Sequence, residues 1–120
     1  MLTRLYQILS TTKTIAWLWS LLIIILCSIP AKSIPDAPIA EFDKIVHVGL
    51  FVIWSILWLL ATQGKIIQII VLGVIFGIGI EIYQQLMPLH RTFDWWDALA
   101  DAVGILLGYL IKKILDRYLQ

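Results

Sequence analysis

The chain has 120 residues, of which 61% are hydrophobic and 14% charged, with a net charge of +1 and a mean hydropathy of +0.93. So few polar residues cannot cover the surface of a soluble globule, and the composition therefore predicts an integral membrane protein. The near-neutral charge and the scattered basic residues give no indication of nucleic-acid binding. The single cysteine, Cys27, excludes an intrachain disulfide and a metal site built from several thiolates.

Four apolar stretches are predicted to be transmembrane helices, at about residues 14–29, 45–61, 66–87 and 95–111. Pro30 ends the first stretch, Gly64 lies in the short second connection, and Pro88 stops the third. The first stretch has no convincing cleavage site, so we interpret it as a retained span rather than a signal peptide. The sequence therefore predicts an all-α polytopic membrane protein with a single domain over residues 1–120.

The basic residues predict the orientation, because lysine and arginine accumulate on the cytoplasmic side of a membrane. Most of them fall on one side of the four predicted spans: Arg4, Lys13, Lys65, Lys112, Lys113 and Arg117. We therefore expect both termini in the cytoplasm, in a multi-pass protein of the cytoplasmic (inner) membrane. The connections at residues 30–44 and 88–94 then face outward.

Polar residues cluster at the outward end, where seven of the eight acidic residues and both histidines are found. An ionisable group at membrane depth is costly unless it is paired or lines a wet cavity, so such a cluster predicts a functional site. The candidate ligand-binding residues are Asp43, Lys44, His47, Glu81, Gln84, Arg91, Asp94, Asp97 and Asp101.

Helical spacing places polar and small residues on one face of each of the last two spans. The third span carries Gly73, Gly77, Glu81 and Gln84, and the fourth carries Asp97, Asp101, Gly104 and Gly108. The glycine pairs predict that these two spans pack closely as an antiparallel hairpin. Glu81 and Asp101 should then meet at similar depth. Two carboxylates that close do not readily share a low-dielectric site unless Arg91, Lys44, His47 or a bound cation neutralises them.

Asp43 and His47 are four residues apart, so the carboxylate could orient the imidazole and stabilise its protonated form. With Glu81, these two residues are the candidates for acid–base catalysis. A nucleophile at Cys27 or Ser28, activated by His47, is the less favoured alternative.

Metal-binding motifs such as HExxH are absent from the sequence, and we predict no metal and no cofactor. Carboxylate and imidazole side chains would nevertheless suit a divalent cation. The alternative is thus a cation held by a subset of His47, Asp43, Glu81, Asp94 and Asp97.

Three separated polar motifs, in this order, resemble the VanZ-like family of small membrane proteins. They are Asp43-Lys44-Ile45-Val46-His47, then Glu81 with Gln84, then Arg91-x-x-Asp94-x-x-Asp97 followed by Gly104 and Gly108. The resemblance covers about residues 28–108. One position departs from the pattern, because the family usually has Asn where this chain has Asp101.

The resemblance implies a role in the cell envelope or in tolerance of glycopeptide antibiotics of the teicoplanin type, but it does not imply a reaction. We therefore expect an outward-facing site that binds an envelope lipid, a lipid-linked wall precursor or a glycopeptide. The alternative is a membrane-embedded hydrolase or transferase that uses His47 and a carboxylate. A proton-coupled carrier ranks last, because no continuous polar path is evident, and the oligomeric state is left open.

Overall fold

The computed structural model describes residues 1–29, 40–88 and 93–119, and all regular secondary structure in those residues is helical. The helices are α1 (Leu2–Thr11), α2 (Thr14–Cys27), α3 (Ala40–Ala61), α4 (Ile66–Leu86) and α5 (Trp95–Leu119). The all-α prediction is confirmed for this part of the chain. Helix α1 lies outside every predicted span, and α5 continues beyond the predicted end at residue 111.

Two helices are long and apolar enough to cross a membrane, over Asp43–Ala61 in α3 and Ile66–Leu86 in α4. Helices α1 and α2 qualify only together, as one span bent by 82°. Helix α5 carries charged residues in both halves, and its uncharged stretch covers only residues 102–111. The described residues thus contain two candidate spans, or three with the bent pair, where the sequence predicted four.

Helices α3 and α4 are joined by a tight turn that reverses the chain. The backbone N–H of Gly64 donates to the carbonyl of Leu59 at 2.8 Å, and that of Gln63 donates to the carbonyl of Leu60 at 3.2 Å. This pair of bonds is the Schellman ending of a helix, which needs a left-handed residue. Gln63 and Gly64 supply it with φ of 57° and 82°. The predicted role of Gly64 in this connection is confirmed.

The glycines of α4 and α5 serve two different interfaces. A β-carbon built on Gly73 would lie 2.5 Å from Ile105, and one on Gly77 would lie 2.9 Å from Asp101, so these glycines face α5 as predicted. A β-carbon on Gly104 would instead lie 2.5 Å from the carbonyl oxygen of Val48 in α3.

Gly108 likewise faces α3, where its β-carbon would lie 2.6 Å from the carbonyl oxygen of Val52. The prediction that Gly104 and Gly108 pack against α4 is therefore wrong. Helix α5 lies close to both neighbours, and its Gly104–Gly108 face is turned to the backbone of α3, with which it packs most extensively.

Tryptophan side chains of α3 are anchored to α2. The indole N–H groups of Trp54 and Trp58 both donate to the hydroxyl of Ser20, at 2.9 and 3.1 Å. Trp54 is buried within the apolar core, next to Phe51 and Ile105. These contacts fix α2 against α3, which positions the end of α2 beside the polar cluster.

At the end of the bundle remote from that cluster, α1 packs mainly on α3 and is also bonded to α5. The carboxylate of Asp116 accepts hydrogen bonds from Tyr6 of α1 and, at 2.8 Å, from Lys112. Burial opposes ionisation of this carboxyl, but the two hydrogen bonds outweigh it and lower the pKa of Asp116 below its ordinary value. Among the acidic residues whose side chains the structure describes, Asp116 alone lies at this end, which makes it a useful control position.

Candidate functional site

The polar cluster is centred on His47, whose imidazole is buried between α3 and α5. Its Nδ1 atom lies 2.7 Å from Oδ1 of Asp101, a hydrogen-bond distance between two buried side chains. Asp43 stays 3.9 Å from Nε2, beyond hydrogen-bond distance. The hydrogen-bond partner of His47 is therefore Asp101, not Asp43 as predicted. Asp43 lies one turn away on the same helix, whereas the close glycine contacts of α5 bring Asp101 directly onto the imidazole.

Lys44 joins the start of α3 to the start of α5. Its Nζ atom lies 3.3 Å from Oδ2 of Asp94 and 3.4 Å from Oδ1 of Asp97. Only the first contact also has hydrogen-bond geometry. Lys44 and Asp94 remain partly exposed, so this ion pair forms the rim of the cluster and not its interior.

Helix α4 contributes Glu81 and Gln84, which are both fully buried. The Oε2 atom of Glu81 accepts a hydrogen bond of 3.4 Å from the backbone N–H of Asp94. Gln84 turns away to α2 and donates from Nε2 to the carbonyl of Cys27 at 3.1 Å. Glu81 is therefore part of the cluster interior, while Gln84 closes its boundary with α2.

Three residues from three helices converge at the centre, as the helical spacing predicted for Glu81 and Asp101. One potential ligand atom from each of His47, Glu81 and Asp101 lies within 4.8 Å of the other two. A second such set, with the same spacing, consists of Asp43, His47 and Asp97. Glu81, Asp97 and Asp101 are all buried, so carboxylates are concentrated in the interior of the bundle.

Several carboxylate oxygens in this interior are unsatisfied. Within residues 1–29, 40–88 and 93–119, Oε1 of Glu81, Oδ1 of Asp97 and Oδ2 of Asp101 accept no hydrogen bond. A buried acceptor without a partner costs about 1–3 kcal/mol, and more when it is charged. The side chains of the described cluster also carry more acid than base. Its acids are Asp43, Glu81, Asp94, Asp97 and Asp101, against Lys44 and His47 as bases.

Arg91, predicted as a ligand-binding residue and as one group that could neutralise the buried carboxylates, lies outside the described residues, and its role stays a prediction. The outer connections, predicted at residues 30–44 and 88–94, lie largely outside them as well.

Two cavities open between the same three helices, α2, α3 and α4. The smaller, of about 40 Å³, lies beside His47 and is lined by Leu26, Cys27, Asp43, Val46, His47, Leu50 and Gln84. The larger, of about 470 Å³, lies nearer the opposite end. Its lining is mainly apolar and aromatic, with Trp17, Leu21 and Ile24 from α2, Trp54 and Trp58 from α3, and Ile69, Leu72 and Phe76 from α4.

Comparison with known families identifies the family of the chain. The family model of VanZ/LLP1 matches residues 3–116, nearly the whole chain. The chain belongs to the VanZ/LLP1 family. No curated protein and no solved structure matches it.

In this VanZ/LLP1 protein, the described residues of the three polar motifs come from α3, α4 and the start of α5, and they meet around His47. Sequence reasoning missed one contact at the border of the site, between the hydroxyl groups of Ser28 and Tyr83, 2.8 Å apart. No periodicity relates these two residues, so no signal in the sequence could have found the contact.

Proposed function

We propose that this protein acts in the cell envelope by binding an amphiphile, whose polar head group meets the rim of the cluster while its apolar chain occupies the adjoining groove. The candidate amphiphiles are an envelope lipid, a lipid-linked wall precursor and a glycopeptide of the teicoplanin type. One observation carries the proposal. The small cavity beside His47, at whose edge the Asp43 carboxylate is partly exposed, and the apolar cavity of about 470 Å³ are lined by the same three helices, one beyond the other. An amphiphile has a polar head group followed by an apolar chain, in the same order as the polar rim and the apolar cavity.

The chemistry of the rim favours head groups rich in hydrogen-bond donors. Asp43 and Asp94 are partly exposed carboxylates, and their basic neighbours are His47 at 3.9 Å from Asp43 and Lys44 at 3.3 Å from Asp94. Hydroxyl groups of a sugar, or an ammonium group, would donate to such oxygens. The rim is therefore suited to glycosylated or amine-bearing head groups.

The proposed arrangement in the membrane has four spans and both termini in the cytoplasm, with the cluster facing outward from the inner membrane. Helix α5 would be the fourth span, because its acidic residues Asp97 and Asp101 are buried against α3 and α4 and not turned toward lipid. Its basic residues Lys112, Lys113 and Arg117 lie at the other end, as the positive-inside rule requires of a cytoplasmic terminus.

The groove can be tested by filling it. Leu72 lines the larger cavity, and its neighbour Val71 does not, although the two side chains are similarly exposed on α4. Leu72→Trp should obstruct the groove and reduce lipid that copurifies with the protein at least several-fold, whereas Val71→Trp should leave it unchanged. Native mass spectrometry of both variants in detergent measures the bound lipid. Equal lipid content in the two variants would contradict the proposed groove.

The envelope role is tested in cells that express the wild type, His47→Ala, Glu81→Ala or Arg91→Ala, with Asp116→Ala as the control from the opposite end. We expect the first three variants to lose protection against teicoplanin and envelope stress, and the control to keep it. Membrane levels are measured by blotting. If protection falls only in step with abundance, the cluster stabilises the bundle and is not a working site.

A membrane-embedded hydrolase or transferase is the second candidate, favoured by the hydrogen bond between His47 and Asp101. A carboxylate on one imidazole nitrogen leaves the other free to accept a proton from a substrate or water. Substitution His47→Gln distinguishes the two candidates, since an enzyme should lose all activity and a binding site should weaken by degrees. A proton-coupled carrier ranks last, because the larger cavity is apolar.

A further inference from the structure

We propose that the interior of the cluster is a site for one divalent transition-metal cation, bound by His47, Glu81 and Asp101. The inference rests on the same cluster as the proposed function, and it assigns the deepest part of that cluster to a ligand other than the head group. The rim residues would still meet the amphiphile.

The first observation is that the three side chains converge and are buried. One ligand atom from each of the three residues lies within 4.8 Å of the other two, and all three side chains are buried. Ligand atoms that share one tetrahedral ion at about 2.1 Å lie about 3.4 Å apart, so the set needs to contract by at most about 1.4 Å. Rotation of side chains alone can supply a movement of this size.

The second observation is that two carboxylate oxygens of this set accept no hydrogen bond. Oε1 of Glu81 and Oδ2 of Asp101 belong to side chains that are only 1% exposed, and neither accepts a hydrogen bond from the described residues. Oδ2 of Asp101 faces Gly77 of α4, where it would lie 2.9 Å from a β-carbon built on that glycine. Two buried carboxylates therefore present free lone pairs beside an imidazole, an arrangement that a cation would satisfy with both lone pairs and charge.

The size of the adjoining space excludes larger ligands from this interior. The cavity that adjoins this interior at His47, and that Asp43 and Gln84 also line, has a volume of about 40 Å³. A pocket for an organic ligand has about 300 Å³ or more, while one water needs about 10–15 Å³. A head group cannot enter, but an ion with one or two waters can.

The donor types indicate the class of metal. One imidazole nitrogen with carboxylate oxygens suits Zn²⁺ or Mn²⁺ better than Ca²⁺ or Mg²⁺, which prefer oxygen ligands alone. Asp97 is also buried and lies next to the site, and its Oδ1 atom accepts no hydrogen bond from the described residues, although it lies 3.4 Å from Lys44. It is positioned to accept a hydrogen bond from a metal-bound water or to become a further ligand.

The test uses the full-length protein purified in detergent without a histidine tag, stripped with a chelator and then dialysed against Zn²⁺ or Mn²⁺. Elemental analysis should find about one ion per chain in the wild type. Pulsed electron paramagnetic resonance of the Mn²⁺ form should show coupling to one imidazole nitrogen. Glu81→Gln and Asp101→Asn should lower the affinity at least about tenfold, since each replaces a charged ligand. Asp116→Asn, at the other end of α5, should bind as the wild type does.

Asp101→Asn is the most informative variant, because Asn is the usual residue of the family here and can still accept the hydrogen bond from His47. Its fold is checked by its thermal unfolding. A folded wild type that binds no ion, or an Asp101→Asn protein that binds with wild-type affinity, overturns the inference. Ion binding by Arg91→Ala but not by the wild type would also overturn it, because Arg91 would then be the group that neutralises the carboxylates of the cluster. These metal-binding results are independent of lipid binding by the Leu72→Trp and Val71→Trp variants. The proposed function is therefore tested separately from the cation site.

Discussion

Alanine in place of Gly108 is expected to lower the free energy of unfolding by about 3 kcal/mol, the upper end of the usual cost of overpacking. The added methyl group would lie 2.6 Å from the carbonyl oxygen of Val52 and would also overlap the hydroxyl of Ser55. A backbone carbonyl cannot rotate away as the end of a flexible side chain can. Helix α5 must therefore move off α3, and this loosens the interface that holds Asp101 against His47.

The chain supplies a matched control for this prediction. Gly79 in α4 has no atom within 4 Å of its built β-carbon. Gly79→Ala should therefore leave stability unchanged or raise it by up to about 1 kcal/mol, because alanine is the better helix former. Both variants can be unfolded by titration with sodium dodecyl sulfate in mixed micelles, with helicity followed by circular dichroism. Equal midpoints for the two variants would show that α3 and α5 do not approach as closely as described.

Apolar runs in the sequence were sufficient to predict the helices, because the runs are long and bounded by Pro30, Gly64 and Pro88. Helix α1 was missed since its mixed polar and apolar residues do not form a membrane-length run. The extension of α5 was missed for a related reason. Lys112 and Lys113 end the apolar stretch, but α5 continues without interruption to Leu119.

Convergence of the site was also predictable, since residues three or four apart share a helix face and Glu81 and Asp101 lie at similar depth. The hydrogen-bond partner of His47 was not predictable. Whether His47 meets Asp43 or Asp101 depends on how α3 and α5 are rotated about their axes, and periodicity within one helix does not contain that information. The same limit explains Gly104 and Gly108, which were placed on a glycine face correctly and assigned to the wrong neighbour.

The glycine contacts and the polar cluster are physically linked, which explains why so many carboxylates are tolerated in an apolar bundle. Close approach at Gly104 brings the backbones of α3 and α5 together directly below His47. This keeps Asp101 within 2.7 Å of the imidazole and shields both groups from lipid. The tight packing thereby offsets part of the cost of burying charge, and the cost that remains at Glu81 and Asp101 is what a ligand can relieve.

The second large effect is expected for His47→Leu, measured in the presence of a chelator so that metal makes no contribution. The variant should lose about 3–5 kcal/mol of unfolding free energy, because it leaves the buried Asp101 carboxylate without its partner. In the double variant His47→Leu/Asp101→Leu, both polar groups are absent, so much of this loss should be recovered.

Asp101→Asn serves as the control, because its amide oxygen still accepts from Nδ1 of His47, and its stability should remain near that of the wild type. Asp101→Leu is added to these variants, and all of them are compared with the wild type by the same detergent titration. The coupling between positions 47 and 101 is calculated from the double-mutant cycle of wild type, His47→Leu, Asp101→Leu and the double variant. We expect a coupling of about 1 kcal/mol or more, since the two side chains share a buried hydrogen bond. If the two leucine substitutions prove additive, His47 and Asp101 do not form the pair on which both the proposed catalysis and the cation site depend, and Asp43 becomes the partner to test.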